Sequence, residues 1–394
     1  MRFALPSFSP ILLLICLCTS AGIIATNVAD APNGPAATDF QVHFIDVGTA
    51  DCIWIHTGDD GIDGNGTLEG YNIIIDGGDA PNFGHVDGYS TAVEYLTKND
   101  RLPVGTTIDW MILTHPHADH CGGLDNFLEN YDVLRIVDPG HDPLNVDAVP
   151  GTERPNSAYG KFYTAASTER VDGVKSEFIS GVANGTDWNW GDELKVRVLH
   201  SSTEIMEHDL NNTSIVLSIS FTDQPDAPSF LLTGDAEKAA EEWLVSEYGN
   251  DLQADVLKAG HHGSESSSTT EFLEAVRPKH IVISSGNQRF SGTLLPSAKS
   301  LGRMDEVSGR LSLGTTIWRT DRGDKTPDLV PRGEEAGDDT VIAWVKDEKL
   351  SIKYADNTPQ PLAYLPTQCQ ARTQSGAQCT RNRSVSSSYC WQHD

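Results

Sequence analysis

Basic residues are scarce in this chain. Lys and Arg number 28 against 56 Asp and Glu in 394 residues, which gives a formal net charge of −28 at pH 7. Proteins that hold nucleic acid or anionic membranes through charge alone carry the opposite balance. The composition therefore argues against broad electrostatic binding of either, although a bound metal ion would still supply local positive charge for a phosphate substrate.

The chain also lacks a dense cysteine pattern and a multi-helix membrane region. Its N-terminal apolar stretch, Ile11–Leu17, follows Arg2 and is too short to span a bilayer comfortably. We predict a signal peptide at residues 1–21, cleaved after Ala21 or alternatively Ala25, and hence a secreted, extracellular protein with no integral membrane region after cleavage. An uncleaved anchor is the alternative. Five cysteines remain after cleavage, too few and too scattered for a disulfide-stapled scaffold.

The rest of the chain divides into four segments. Residues 22–38 are rich in Ala, Pro and Asn and predict a flexible leader, residues 39–356 form the main domain, residues 357–365 a linker, and residues 366–394 a separate cysteine-containing unit. Within the main domain, apolar strands occur in two runs with helices after them, which predicts a layered α/β plan with mixed sheets. Residues 139–192 show no clear pattern and predict a long insertion.

One loop concentrates potential metal ligands. An apolar strand ends at Thr114, and His115, His117, Asp119 and His120 then fall within six residues. Imidazole and carboxylate groups suit zinc, manganese and iron. His115 and His117 are two apart and face the same way in an extended segment, whereas the later pair lies beyond it, so the pairs could serve two adjacent ions. Unrelated surface histidines would not explain four such residues in one loop after a strand.

Two later strand ends offer further ligands. Asp235 follows the buried strand that contains Leu231, and His261 and His262 follow the apolar segment 254–257. Strand ends are where a rigid scaffold can present a site. Two ions bridged by Asp235 and a water would activate that water and stabilise charge on a phosphoryl or acyl oxygen. We therefore predict a hydrolytic centre with two ions, zinc or alternatively manganese.

The loop motif carries a family resemblance. The segment 115–120, His-Pro-His-Ala-Asp-His, resembles the HxHxDH signature of the metallo-β-lactamase superfamily. The chain is similar in particular to the hydrolase domain of ComEC-type competence proteins, over roughly residues 40–355. The segments that carry this second resemblance, in matching order, are Phe44–Asp51, Ile74–Gly78, Asn211–Leu217, Leu231–Asp235 and His261–Ser264.

The resemblance implies an αββα sandwich with metals at one edge between the sheets. It implies one ion at His115 and His117, a second at Asp119 and His120, and Asp235 as the bridge. One residue of the His261–His262 pair would be a ligand, and we assign His261 to that role. The catalytic residues are then Asp119 and His262, the latter free to contact substrate or to move protons.

Substrate contacts are predicted for Asp46, Asp76 and Asn212, which lie in segments of the resemblance. For the two aspartates, a turn-forming role before glycine is the alternative. The superfamily often has a further histidine ligand between the first motif and the bridging aspartate. This chain offers His141, His200 and His208 there, none of them in an evident motif.

The C-terminal unit has its own ligand set. Cys369, Cys379, Cys390 and His393 could form a closed tetrahedral zinc site, and a unit this small would need metal to fold. It resembles small CCCH zinc-binding modules, so we predict one structural zinc there. The alternative is one disulfide and a free thiol, which an exported location favours.

These patterns predict a secreted metal-dependent hydrolase, with phosphodiester hydrolysis by a metal-activated water as the first hypothesis. The substrate would be a phosphodiester or another small hydrolysable compound, with DNA as one candidate. Hydrolysis of an ester, lactone or thioester at the same site is the second hypothesis. A non-catalytic metal-binding protein is the third, because fold does not determine function. The sequence carries no information on oligomeric state.

Overall fold

The computed structural model describes residues 34–65, 69–80, 86–141, 156–204, 209–286, 289–290, 293–321 and 339–355. The predicted signal peptide, most of the leader, the linker and the cysteine-containing unit lie outside these residues. The strands are β1 (Phe40–Phe44), β2 (Ile53–His56), β3 (Asn72–Ile75), β4 (Thr107–Ile112), β5 (Asp132–Asp138), β6 (Arg170–Val171), β7 (Val174–Lys175), β8 (Glu177–Ser180), β9 (Asp187–Trp188), β10 (Leu194–His200), β11 (Val216–Phe221), β12 (Phe230–Leu232), β13 (Val256–Lys258), β14 (His280–Ile283), β15 (Arg289–Phe290), β16 (Thr293–Leu294), β17 (Thr316–Arg319), β18 (Val341–Lys346) and β19 (Lys349–Tyr354).

The α-helices are α1 (Gly88–Thr97), α2 (Ala118–Cys121), α3 (Leu124–Asn130), α4 (Ala158–Thr168), α5 (Lys238–Tyr248), α6 (Thr270–Val276) and α7 (Ala298–Leu311). Short 3-10 helices lie at Lys98–Asp100, Leu210–Thr213, Gly249–Leu252 and Gly260–Gly263. In the described part of the chain, no helix has both the length and the apolar character that crossing a bilayer requires.

The first sheet has eight strands in the order β19-β18-β1-β2-β3-β4-β5-β8. Strands β3, β4, β5 and β8 are parallel, and the others pair antiparallel. Both faces are buried, which explains the uninterrupted isoleucine run of β3. Ile73 and Ile75 face the core between the sheets, whereas Ile74 faces the outer core formed with α1, α3 and α4.

The second sheet has seven strands in the order β17-β14-β13-β12-β11-β10-β9. Strands β12, β13, β14 and β17 are parallel. Leu232 and Val256 face the first sheet, and Leu231 and Leu257 pack against α5, α6 and α7 on the outside. Helices thus cover the outer faces of two sheets that pack on each other, and the predicted αββα sandwich is confirmed.

The predicted insertion at 139–192 is more regular than the sequence pattern indicated. Its described part contains α4, and β8 extends the first sheet beyond β5. The apolar residues Tyr159, Phe162 and Ala166 follow helical spacing and are buried against the outer core. The Gly- and Ser-rich surroundings concealed this short helical signal, so the expectation of an unpatterned segment was wrong here.

Candidate metal centre

Four side chains converge where the chain leaves β4, β12 and β13. They are Asp119, His120, Asp235 and His262, the ligand cluster, and one ligand atom of each lies within 4.8 Å of the others. Oδ2 of Asp235 lies 3.1 Å from Nε2 of His120 and 3.4 Å from Nε2 of His262. Nε2 of His262 also lies 3.2 Å from Oδ2 of Asp119. Two carboxylates and two imidazoles match the ligand preferences of zinc and manganese.

Gly122 and Gly123 let the ligand loop lie directly against the strand ends. A Cβ atom on Gly122 would lie 2.2 Å from the amide nitrogen of Ala80, and one on Gly123 would lie 2.3 Å from the carbonyl oxygen of Gly77. No other residue tolerates so close a backbone approach. The Gly77 amide donates to the His120 carbonyl oxygen at 2.7 Å across the same contact. The two glycines after the motif therefore help to place His120.

The second sheet presents its ligand through a strained turn after β13. His261 and His262 have φ angles of 42° and 49°, in a region that residues other than glycine seldom adopt. Nδ1 of His262 donates to the carbonyl oxygen of Ser284 at 2.9 Å, which directs Nε2 toward the cluster. Strain of this kind is concentrated at functional sites.

Asp76 fixes the orientation of the His120 ring through the nitrogen that points away from the cluster. Nδ1 of His120 donates to Oδ2 of Asp76 at 2.8 Å, and the amide and hydroxyl of Thr114 donate to the same carboxylate, each at 2.8 Å. Such a carboxylate fixes the tautomer of a histidine ligand and raises its basicity. Asp76 is fully buried, and these contacts are those of an orienting group. Its role in substrate binding stays a prediction.

The charges of the cluster reinforce one another. Burial lowers the pKa of His120, but the carboxylates of Asp235 and Asp76 outweigh it and raise that pKa well above its ordinary value. Burial opposes ionisation of Asp235, yet His120 and His262 lower its pKa well below the usual range. In the same way, the two imidazoles outweigh burial and lower the pKa of Asp119. A buried set of carboxylates that charges an imidazole also attracts a divalent cation.

His115 and His117 lie beside the ligand cluster. Nε2 of His115 lies 3.0 Å from Nδ1 of His117 and 3.9 Å from Oδ2 of Asp235. Burial, followed by the neighbouring His120 and His117, lowers the pKa of His115 well below its ordinary value. The imidazole is therefore neutral, as a ligand must be. A second ion on this pair stays a prediction.

Of the two histidines after β13, His262 belongs to the ligand cluster and His261 does not; our assignment of His261 as ligand and His262 as catalytic residue stays a prediction. His262, assigned as catalytic, lies in the ligand cluster. His261, assigned as a ligand, points to Glu237, with Nδ1 2.5 Å from Oε1 and 28% of its side chain exposed. Although burial favours the neutral form, the Glu237 carboxylate raises the pKa of His261 to about 8. The Ser266 hydroxyl donates to the same Glu237 oxygen at 2.5 Å. We call His261, Glu237 and Ser266 the rim.

Asp46 and Asn212 make hydrogen bonds that stabilise local structure. The buried Asp46 accepts from the amide of Gly48 at 3.2 Å, as a turn-forming aspartate would. Oδ1 of Asn212 accepts from the amides of Glu237 at 3.2 Å and Ala240 at 3.1 Å, where α5 begins without a side-chain cap of its own. Substrate binding by either residue stays a prediction.

Two of the three further candidate histidines lie within the described residues. Nδ1 of His200 donates to the carbonyl oxygen of Ser214 at 2.9 Å, and its ring packs on Trp243. His141 is buried after β5, where its carbonyl oxygen accepts from the Tyr159 hydroxyl at 2.6 Å. Neither belongs to a ligand group found among the described residues. His208 lies outside them.

Sequence analysis assigned no role to Asp51 or Lys258, which are both buried at the site. Nζ of Lys258 contacts Oδ2 of Asp51 and lies 3.5 Å from Oδ1 of Asp235. The sequence did contain a signal for the burial of Lys258. Alternate residues of a strand face the same side, so Lys258 faces inward like Val256. An inward charge needs a buried partner. We call Asp51, Asp76 and Lys258 the floor.

Several buried atoms of the site accept or donate no hydrogen bond within the described chain. They are Oδ1 of Asp51, both carboxylate oxygens of Asp235, and Nε2 of His120, whereas Oδ2 of Asp51 contacts the Lys258 ammonium. Buried polar atoms are satisfied as a rule, and a metal ion is one means of satisfying a group of them. The donor set and these atoms together fit a divalent ion.

The sequence matches a known family and several curated proteins. Residues 67–286 match the family model described as the metallo-beta-lactamase superfamily. The chain is 31% identical to ComE operon protein 3 of Bacillus subtilis (strain 168) over 188 residues, which cover 46% of this chain and 21% of that protein. It is 29% identical to Recombination protein 2 of Haemophilus influenzae over 182 residues, which cover 46% of this chain and 18% of that protein. The chain is 38% identical to Competence protein ComA of Neisseria gonorrhoeae over 112 residues, which cover 28% of this chain and 15% of that protein. The chain thus spans about a fifth of the length of these relatives.

Solved structures show weaker similarity. Igni18, described as a metallo hydrolase from Ignicoccus hospitalis KIN4/I, matches with a TM-score of 0.37 and 14% identity over 72% of this chain and 96% of that one. Unliganded yeast PDE1 matches with a TM-score of 0.35 and 9% identity, over 72% of this chain and 97% of that one. Similarity at this level carries no argument about substrate or mechanism.

Proposed function

Because the chain belongs to the metallo-beta-lactamase superfamily, we propose that it is a metal-dependent hydrolase whose active site is the ligand cluster. The observation that carries this proposal is the convergence of Asp119, His120, Asp235 and His262 from two sheets and three chain segments. Structural packing alone does not account for two carboxylates and two imidazoles that face one another, with Nε2 of His120 and both oxygens of Asp235 buried and without a hydrogen bond.

In this proposal the four residues of the ligand cluster would hold one divalent ion, and His115 and His117 would hold a second together with Asp235. Zinc is the first candidate and manganese the second. The ions would activate water as a nucleophile and stabilise charge on the attacked group. Asp76 holds His120, and the Ser284 carbonyl holds His262, so each presents Nε2 to the centre.

The proposed reaction is hydrolysis of a phosphodiester. His261 supports this choice, because Glu237 keeps it protonated near neutral pH and 28% of its side chain is exposed at the rim. An imidazolium there would contact an anionic substrate oxygen or donate a proton to a leaving group. This places His261 in the role that we first assigned to His262.

Nucleic acid is one phosphodiester to test. Matched relatives are named for competence and recombination, which favours it. The net charge of −28 disfavours binding along a phosphate backbone. If DNA is the substrate, we expect contact to be confined to the metal centre and the rim, and hence a weak dependence of affinity on salt.

The test combines metal analysis with hydrolysis assays on the purified chain. An aryl phosphodiester, single-stranded DNA and a simple lactone are compared for the wild type, Asp119→Asn and the matched control Asp125→Asn, which lies on α3 in the next helical segment. We expect bound zinc or manganese and phosphodiester hydrolysis in the wild type and in Asp125→Asn. Asp119→Asn should lose activity and the metal of the ligand cluster, and should keep the zinc predicted for the C-terminal unit.

Other outcomes separate the alternatives. Hydrolysis of the lactone but of neither phosphodiester would replace the proposed reaction with acyl hydrolysis at the same site. Metal binding without hydrolysis of any substrate would favour a non-catalytic metal-binding protein. Hydrolysis that survives Asp119→Asn and His120→Ala with unchanged metal content would overturn the proposed site.

Secretion and the C-terminal zinc site also belong to this proposal. A chain that matures by cleavage after Ala21 should appear in the medium with residue 22 at its N-terminus. Cys379→Ser should remove one zinc equivalent and leave the hydrolytic centre intact, because a closed four-ligand site has no open position for catalysis. Unchanged zinc content together with one disulfide would favour the oxidised alternative.

A further inference from the structure

Lys258 is a fully buried lysine inside the proposed metal centre. Its side chain is 0% exposed, and it extends from the end of β13 into the space between the two sheets. Nζ contacts Oδ2 of Asp51, lies 3.5 Å from Oδ1 of Asp235, and donates to the carbonyl oxygen of Gly234 at 2.9 Å. A buried ammonium with these partners is held in one position.

The lysine divides the two oxygens of Asp235 between different partners. Oδ1 faces Lys258, whereas Oδ2 faces His120 at 3.1 Å and His262 at 3.4 Å. Only one oxygen of this carboxylate is therefore directed at the ligand cluster. Asp51 is held in the same way, because its Oδ2 contacts Lys258 while Oδ1 lies 3.8 Å from Nδ1 of His262.

The floor and the ligand cluster contain four carboxylates. Those of Asp51, Asp76 and Asp235 are buried, and that of Asp119 is partly exposed. One divalent ion balances two of these charges, and carboxylate oxygens also attract further hard cations. The ammonium lies between Asp51 and Asp235, where such a cation would otherwise be drawn.

We propose that Lys258 is a positioning residue that acts as a built-in cation of the centre, excluding an additional divalent ion from between Asp51 and Asp235 and directing a single Asp235 oxygen at the ligand cluster. This inference rests on the proposed function, because it concerns the same metal centre. It predicts that removing the ammonium changes how much metal the chain binds as well as how stable the chain is.

The test variant is Lys258→Met, which is unbranched, one atom shorter than lysine and uncharged. Without metal, we expect the melting temperature to fall by about 5–10 °C, because Asp51 is left as an uncompensated buried charge. With Mn²⁺, we expect the variant to take up one more equivalent per chain than the wild type and to regain most of the lost melting temperature. Elemental analysis and thermal unfolding measure the two effects.

Two further variants isolate the cause. Lys258→Met combined with Asp51→Asn should recover at least half of the lost melting temperature and should not bind the extra Mn²⁺, since the attracting charge is gone. Lys279→Met removes a lysine from an exposed pair with Asp255, in which the two atoms are 2.6 Å apart. It should match the wild type in both metal content and melting temperature.

A destabilised Lys258→Met that binds no extra Mn²⁺ would overturn the inference, because the pair would then be purely structural. The inference would also be overturned if Lys258→Met were as stable as the wild type, or if it failed to fold even in the presence of Mn²⁺. A wild type that binds no Mn²⁺ or Zn²⁺ overturns the proposed function instead. In that case uptake of Mn²⁺ by Lys258→Met still supports the built-in cation, and absence of uptake overturns both.

Discussion

The floor and the rim of the site differ in burial and in what holds them. The floor residues are fully buried and are fixed by contacts to the ligand cluster, as the Asp76 bond to His120 illustrates. His261 and Ser266 of the rim are partly exposed, and His261 contacts the buried Glu237 rather than the cluster. Adjacent histidines in the chain therefore belong to different regions. The turn after β13, with two successive positive φ angles, makes this separation possible.

This difference separates two functions of the site. The floor positions ligands before any substrate arrives, which is what a preorganised metal centre needs. The rim has a titratable group within reach of solvent and of a bound substrate. Substitutions in the floor should therefore change metal binding, whereas substitutions in the rim should change the rate of hydrolysis.

The largest difference between floor and rim is expected when the neighbouring histidines are substituted one at a time. We expect His262→Ala to lose metal and to reduce hydrolysis to the uncatalysed background, because it removes a ligand. His261→Ala should keep its metal and lose about 10²–10⁴-fold in rate, the usual contribution of a proton-transfer group. Metal content and kcat on an aryl phosphodiester distinguish the two. The reverse pattern would restore our first assignment of the pair.

A second test concerns the floor alone. Asp76→Asn keeps the shape of the side chain but weakens its hold on His120. We expect about a 10–100-fold loss of metal affinity, as is typical for groups that orient a histidine ligand. Competition with a chromophoric chelator measures this loss. Unchanged affinity together with a raised KM would instead indicate the substrate contact predicted from the sequence.

A third test uses pH to examine the rim. In the folded chain the pKa of His261 is raised to about 8, above its ordinary value of about 6.5. The ion pair with Glu237 therefore stabilises the fold fully below pH 6.5, and that stabilisation is lost as the pH rises through 8. Glu237→Gln should remove about 1–2 kcal/mol more stability at pH 6 than at pH 9.

The control for this pH test is Glu242→Gln on the same helix. Glu242 forms an exposed pair with Lys238, 3.7 Å apart, and its substitution should change stability equally at both pH values. Denaturant unfolding in the presence of a chelator gives the comparison. A pH dependence that is the same in Glu237→Gln and in the wild type would show that the pair does not hold His261 in its charged form.

The smallest effect is expected away from the site. Arg197 and Asp187 form an exposed pair of two hydrogen bonds, at 2.7 and 2.9 Å. Because solvent screens such pairs, Arg197→Ala should cost about 0.5 kcal/mol or less. A cost as large as that of Lys258→Met would contradict the view that burial gives the floor its importance.

The sequence predicted most of the architecture and grouped several residues that the structure brings together. Asp119 and His120 lie in one loop, so their proximity followed from the motif itself. Asp235 could be added because buried strands end at a common edge. The αββα plan followed from two runs of strands with helices after them.

The remaining features depend on geometry that spacing does not encode. Which of His261 and His262 enters the cluster depends on the φ angles of their turn. The pairing of Asp51 with Lys258 joins the two sheets across the core, and no local pattern links residues so distant in the chain. Helix α4 was missed because it is short and lies between segments rich in Pro, Gly, Ser and Thr.

Anomalous diffraction from crystals grown with Mn²⁺ would show whether Asp119, His120, Asp235 and His262 bind a divalent ion. We expect an anomalous peak coordinated by Nε2 of His120, Nε2 of His262 and carboxylate oxygens of Asp119 and Asp235. A peak confined to His261 and Glu237, or no peak within coordination distance of the four ligands, would contradict this binding.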